Sequence, residues 1–206
     1  MTRRPLALLA TGLLVAFLAL ALWARLTPVG AWELQLSTFI AVAAGPAAEV
    51  FRLLDLSFAL IPWSIAVALL AALAWLRGRR DAASLLVLVI VADVVAAGAK
   101  LLVARERPAA ALVEHLLGQE SFAFPSGHVV RATALTAVVV WLVAPPPFRL
   151  PALIGAGVVA GLLMGYSRVA LGVHWPSDAL GGLLLGLGWA CGSLLVIEHL
   201  GQRQRT

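Results

Sequence analysis

The chain has 206 residues, 62% of them hydrophobic and 12% charged, with a mean hydropathy of +1.00. That apolar fraction excludes an ordinary water-soluble domain and points to a polytopic membrane protein forming one compact unit, residues 1–206. The net charge of +5 does not mark a nucleic-acid binder, because the arginines sit dispersed at the ends of apolar segments rather than in one basic stripe, and the single cysteine, Cys191, makes no internal disulfide.

A helix needs about 20 apolar residues to cross about 30 Å of hydrocarbon. In chain order, six stretches meet or approach that length: residues 5–26, 57–76, 82–104, 129–144, 150–166 and 179–197. The expected fold is therefore all-α, a bundle of six transmembrane helices. Residues 5–26 follow two arginines, and Ala19-Leu20-Ala21 has the small-residue pattern of a signal cleavage site. The apolar run continues to Leu26, which favours an uncleaved span. Residues 27–56 are too many for a turn. Within them, 31–44 and 46–54 have the mixed faces of short interfacial helices on the outer side, near the entrance to the site; a re-entrant dip of 39–48 is the alternative. Pro145-Pro146-Pro147 separates the fourth and fifth spans, since proline cannot continue a helix. Gly157, Gly161 and Gly165 on the fifth span, and the pairs Gly182/Gly186 and Gly188/Gly192 on the sixth, recur every four residues, a spacing that lets helices of one bundle approach closely.

Arginine placement sets the orientation. Arg3, Arg4, Arg77, Arg79, Arg80, Arg149, Arg203 and Arg205 fall on one side, which becomes the cytoplasmic side and carries both termini. The outer connections hold Arg25, Arg52 and Arg105, balanced by Glu33, Glu49, Asp55, Glu106, Glu114 and Glu120. Asp93 stands mid-span and needs a partner or a proton, and Arg131 is a candidate partner for it or for Glu106.

Three polar stretches then fall at the outer ends of spans. The last runs from Ser167-Arg168 through His174 to Asp178. Asp178 follows His174 by four, and a helix starting near Pro176 lets its carboxylate face the imidazole. A carboxylate on one ring nitrogen fixes the tautomer and leaves the other free to attack, while Arg168 offers a planar cation for phosphate oxygens. The earlier stretches are Lys100 through Arg107-Pro108, and Pro125-Ser126-Gly127-His128, which places backbone amides at a helix start suited to an anion. Taken singly, Lys100, Arg107 and Arg168 would be snorkelling side chains at span ends, and His128 a loop histidine.

Together and in order, the three stretches resemble the tripartite signature of the type 2 phosphatidic acid phosphatase superfamily: Lys, six residues, Arg-Pro; then Pro-Ser-Gly-His; then Ser-Arg, five residues, His, three residues, Asp. The motif-bearing core is 82–197. The resemblance implies that His174 attacks phosphorus and forms a phosphohistidine, that Asp178 orients it, and that His128 protonates the leaving oxygen. It assigns the phosphate oxygens to Lys100, Arg107, Ser126, Gly127 and Arg168. It implies no metal and no cofactor, and the sequence offers no cluster of carboxylates, histidines or cysteines at ligand spacing.

The implied protein is a metal-independent lipid phosphatase of the bacterial cytoplasmic membrane. Its site faces the periplasm or exterior, and its partners are the lipid substrate and the bilayer, with no nucleic acid and no obligatory protein partner. The first expected substrate is undecaprenyl pyrophosphate; phosphatidylglycerophosphate or phosphatidic acid is the alternative. A lipid phosphotransferase would carry the same motifs, and a non-catalytic lipid-binding protein would not need His128, His174 and Asp178. A soluble vanadium haloperoxidase shares the motifs but not six apolar spans. Arg131, three residues after His128, is a possible headgroup contact or a structural ion pair. Glu114 and His115 are expected to be solvated, and His115 to have at most a gating role.

Overall fold

The structure is a computed structural model that describes residues 3–108 and 122–203; Glu114, His115 and Glu120 lie outside the described residues. Among the described residues the regular elements are helical. They are α1 (Arg3–Leu26), α2 (Ala31–Ala44), α3 (Ala48–Ser57), α4 (Leu60–Leu76), α5 (Arg80–Val103), α6 (Gly127–Val143), α7 (Arg149–Ala170) and α8 (Pro176–Arg203), with short 3₁₀ turns at Gly45–Ala47 and Pro146–Phe148.

Large apolar side chains cover the outside of the bundle: Leu18, Leu22, Leu69, Leu76, Val94, Leu101, Val143 and Leu162 are all exposed. A water-soluble protein does not carry such a continuous apolar surface, so these residues face lipid. Helices α1, α5, α7 and α8 are long and apolar enough to cross a membrane singly. Helices α3 and α4 pass that test only as a pair bent by 53°. The expected second and fourth spans are each 17 residues in α4 and α6, the lower end of the crossing range.

The core follows from which side chains lack a lipid-facing option. Leu6 and Ala10 of α1, Trp63 and Val67 of α4, Leu85 and Val89 of α5, Ala137 and Trp141 of α6, Leu153 of α7, and Leu187, Ala190 and Leu194 of α8 form one buried cluster. Helix α8 runs through the middle and packs on α1, α5, α6 and α7. The N-terminal apolar stretch is thus a member of the bundle.

Small residues make the central packing close. A Cβ on Gly157 would meet Leu187 at 2.6 Å, one on Gly161 would meet Leu183 at 2.5 Å, and one on Gly182 would meet the Ser126 carbonyl oxygen at 2.7 Å. The glycine spacing read from the sequence therefore serves contacts within the chain, with Gly192 the exception: a Cβ there meets nothing within 4 Å.

Several helix ends differ from the expected ones, and two differences matter for the site. Helix α7 continues to Ala170, four residues past the expected end, because Ser167 and Arg168 are buried against neighbouring elements and gain by staying in register. The chain then turns at Gly172, where φ is +70°. Helix α5 stops at Val103 with Ala104 in the left-handed region (φ 53°) and its amide bonded to the Lys100 carbonyl at 2.8 Å. That turn sends Arg105 inward.

Gly182→Ala should push α8 away from the start of α6 and lower thermal stability in detergent by about 1–3 kcal/mol, the usual range for overpacking. Gly192→Ala should be tolerated. Circular dichroism melts of the two variants side by side check the contrast.

Candidate active site

The site lies at the bundle end where α5, α7 and the turn before α8 meet the start of α6. Pro176 opens α8 as its first residue, as the sequence anticipated, and puts Asp178 in the first turn. Asp178 is fully buried, and each of its oxygens is engaged. Oδ2 accepts from the Trp175 backbone amide at 2.8 Å, Oδ1 accepts from Arg105 Nη1 at 3.0 Å, and the backbone oxygen accepts from the Ser126 amide at 3.0 Å. That last bond ties the start of α8 to the start of α6, so two of the three motifs are joined by one backbone contact.

His174 sits in the turn between α7 and α8 and is buried. Its Nδ1 is 3.4 Å from Asp178 Oδ2, longer than a formed hydrogen bond. The carboxylate faces Nδ1, with its nearer oxygen already held by the Trp175 amide. Burial, and then the cations Lys100, Arg107 and Arg168, hold the imidazole well below its usual pKa of 6.5. His174 is therefore neutral at neutral pH, with a lone pair available on one nitrogen.

The other motif residues gather around it. Arg107 Nη1 donates to the Val173 carbonyl at 3.2 Å, next to His174. Lys100 Nζ donates to the Phe122 carbonyl at 2.6 Å. Trp175 Nε1 reaches the Glu106 carbonyl at 3.0 Å, which fixes the first motif against the third. Ser126 is fully buried at the N-cap of α6, and its Oγ has no hydrogen-bond partner among the described residues. Gly127 and His128 form the first turn of α6, where backbone amides lack intrahelical acceptors. Arg168 lies in the last turn of α7, buried.

Arg131, the possible headgroup contact, is turned to a carboxylate, a carbonyl and an aromatic ring. Its Nε donates to Asp93 Oδ1 at 2.8 Å, its Nη1 donates to the Phe58 carbonyl at 2.8 Å, and its guanidinium lies 5.7 Å from the Trp63 ring centroid. This is the pairing anticipated for a carboxylate at mid-span.

Three residues assigned from the sequence to charge balance in the outer connections have specific partners at the site. Arg105 and Glu33 are buried and Asp55 is half-buried. Arg105 Nη2 donates to Glu33 Oε2 at 2.6 Å while its Nη1 holds Asp178, and its guanidinium lies 5.7 Å from the Trp23 ring centroid. The Glu33 side chain also accepts from Ser177 Oγ. One guanidinium thus neutralises two fully buried carboxylates, and α2 is fastened to the start of α8. Asp55, from α3, places Oδ1 at 2.9 Å from His128 Nε2 and against Arg168 Nη1. The signal for all three was present: each is an ion beside an apolar segment, where hydrocarbon penalises an unpaired charge. Their partners could not be read from local spacing.

Beside the site an apolar cleft of about 320 Å³ opens between α2, α7 and α8. Ile40, Gly161, Val169, Pro176 and Leu183 line it.

Fold and site together define a helical integral membrane protein with a buried histidine–aspartate pair among basic side chains. The sequence model of the PAP2 superfamily matches residues 81–201, and the chain belongs to that superfamily. Phosphatidylglycerophosphatase B of Bacillus subtilis (strain 168) is 46% identical over 77 residues, covering 35% of this chain and 37% of that protein. Undecaprenyl-diphosphatase of Sulfolobus acidocaldarius is 35% identical over 80 residues, covering 39% of this chain and 35% of that protein. The aligned part of the chain thus spans little more than a third of these curated relatives. The crystal structure of the transmembrane PAP2 type phosphatidylglycerolphosphate phosphatase from Bacillus subtilis superposes with a TM-score of 0.65 at 26% identity, covering 94% of this chain and 96% of that one.

Removing Arg105 should expose the strain in this arrangement. Arg105→Met leaves two carboxylates buried without their cation and should cost about 3–5 kcal/mol of stability. Adding Glu33→Gln should recover part of that loss, giving a non-additive double-mutant cycle in thermal melts.

Proposed function

We propose that this protein hydrolyses the terminal phosphate of a membrane lipid through a phosphohistidine intermediate. The observation that carries the reading is the neutral, buried His174 beside Asp178, surrounded by Lys100, Arg107 and Arg168. Phosphoryl transfer asks a protein mainly for positioning and for charge opposite the equatorial oxygens. Those three cations, with Ser126 Oγ and the amides of Gly127 and His128, supply that charge from the chain itself, and we propose that the reaction needs no metal.

In the proposed sequence His174 attacks phosphorus through Nε2, the nitrogen turned away from Asp178. The bond from phosphorus to the lipid oxygen breaks as His128 gives that oxygen a proton. A water then loses a proton to His128 and attacks phosphorus. The nitrogen–phosphorus bond breaks, inorganic phosphate leaves, and both histidines return to their starting states.

The substrate favoured is phosphatidylglycerophosphate. Support comes from the 46% identity to a protein named for that activity and from the superposition over nearly the whole chain. Undecaprenyl diphosphate is the second reading, supported by the relative named for it. In either case the lipid tail would lie along the apolar cleft beside Val169 and Pro176. The arginine distribution supports six spans with the site facing the periplasm or exterior and both termini in the cytoplasm.

Phosphate release measured in detergent with EDTA present, from both lipids and from phosphatidic acid, tests this. Wild type should release phosphate from at least one lipid. His174→Ala should lower kcat by about 10³-fold or more, and His128→Asn by about 10²–10⁴-fold. Release that EDTA abolishes would contradict metal independence, and release that survives in His174→Ala would contradict the nucleophile.

A further inference from the structure

The contacts of Asp55 point beyond charge balance. Its carboxylate comes from α3, outside the three motifs, yet its Oδ1 meets His128 Nε2 at 2.9 Å and the guanidinium of Arg168. Its backbone oxygen adds a second acceptor 3.2 Å from the same His128 nitrogen. Those two donors come from different helices, α6 and α7, and the proposed reaction uses both, one for the leaving oxygen and one for an equatorial oxygen. A carboxylate is the side chain that most resembles one edge of a phosphate: two charged acceptor oxygens that a guanidinium and an imidazole bind in the same way.

The helix that carries this carboxylate packs on the outside of the bundle, where Phe51 meets the Tyr166 ring of α7 edge-on with centroids 5.7 Å apart. No residue of α3 with a described side chain is buried, and Val50, Leu53 and Leu56 are exposed. The helix meets α4 through the 53° bend, and the carbonyl of Phe58 at that bend is pinned by Arg131. No residue of α3 belongs to the buried cluster, so withdrawal of the helix about that pinned joint would leave the cluster closed.

We infer that Asp55 is a specificity-determining residue. Its carboxylate takes the oxyanion positions of the phosphate site and yields to a terminal phosphate, keeping out the phosphodiester lipids that make up the surrounding bilayer. The inference rests on the phosphatase reading and names how that site chooses its substrate class. An internal carboxylate competes at the high effective concentration of a tethered ligand. An incoming anion then binds with its intrinsic affinity reduced by the fraction of time the carboxylate is away. A terminal phosphate carries −1.5 to −2 charges near neutrality and three free oxygens. It gains nearly twice the attraction to Arg168, Arg107 and Lys100 that a singly charged diester gains. Both proposed substrates end in such a group.

The test uses the full chain in detergent or nanodiscs, with inorganic phosphate as the probe. Calorimetric titration should give Asp55→Asn a phosphate affinity about tenfold or more above wild type, as expected if the carboxylate leaves the site about a tenth of the time. In the hydrolysis assay, phosphatidylglycerol vesicle lipid should inhibit Asp55→Asn and leave wild type unaffected. Because the substitution could disturb folding around Arg168, hydrogen exchange of the wild-type protein provides a separate reading: phosphate should speed exchange across residues 48–57. Phosphate binding by neither form, equal or weaker binding by Asp55→Asn, or exchange in 48–57 that is unchanged or slowed would overturn the inference. A fall in kcat with phosphate affinity unchanged would make Asp55 an orienter of His128 instead. The titration and the exchange need no turnover, so they decide the role of Asp55 even if wild type hydrolyses none of the lipids tried.

Discussion

Asp178 is the joint on which the site depends. Its backbone oxygen holds the start of α6, its two carboxylate oxygens hold Arg105 and the Trp175 amide, and Oδ2 faces His174. A carboxylate fully removed from water is costly unless its oxygens are paired. Here the pairing draws together the turn after α5, the N-cap of α6 and the first turn of α8. The cost of burying one charge is offset by contacts that also bring the three motifs into register. Glu33 extends the same logic to α2, since Arg105 can neutralise Asp178 only while sharing its charge with a second carboxylate.

The second constraint is lipid. With an outer surface of leucine, valine and phenylalanine, the polar side chains of the site must face inward. Each cation there is engaged. Arg107 holds backbone beside His174, Lys100 holds the Phe122 carbonyl, Arg168 holds Asp55 and Arg131 holds Asp93. The result gathers basic side chains around a buried imidazole, where electrostatic interactions are stronger than they would be in water.

Much of this was legible in the sequence because the signals are local. Span lengths follow from hydropathy, and Pro176 marks the start of α8. The four-residue step from His174 to Asp178 places one over the other at a helix start. The cost of a lone carboxylate at mid-span showed that Asp93 needs a partner or a proton, while whether Arg131 pairs with Asp93 or Glu106 was left open until the fold brought α5 and α6 together. The partners of Glu33, Arg105 and Asp55 were not legible because they are far along the chain: Glu33 and Arg105 are 72 residues apart, and Asp55 and Arg168 are 113 apart. Hydropathy treats an ion between spans as solvated, and only the fold reveals that the chain turns it inward. The end of α7 was missed for the same reason. Arg168 looks like a helix-terminating charge until its burial beside Asp55 is seen.

The central claim is that His174 carries the phosphoryl group. Rapid quenching in base of the enzyme mixed with phosphatidylglycerophosphate, followed by mass spectrometry of its peptides with His174→Ala as the control, tests it most directly, because phosphohistidine survives base. The account predicts one added phosphoryl group on the peptide containing His174, lost on acid treatment. Turnover of substrate with no phosphorylated peptide, or with the group on another residue, would contradict it.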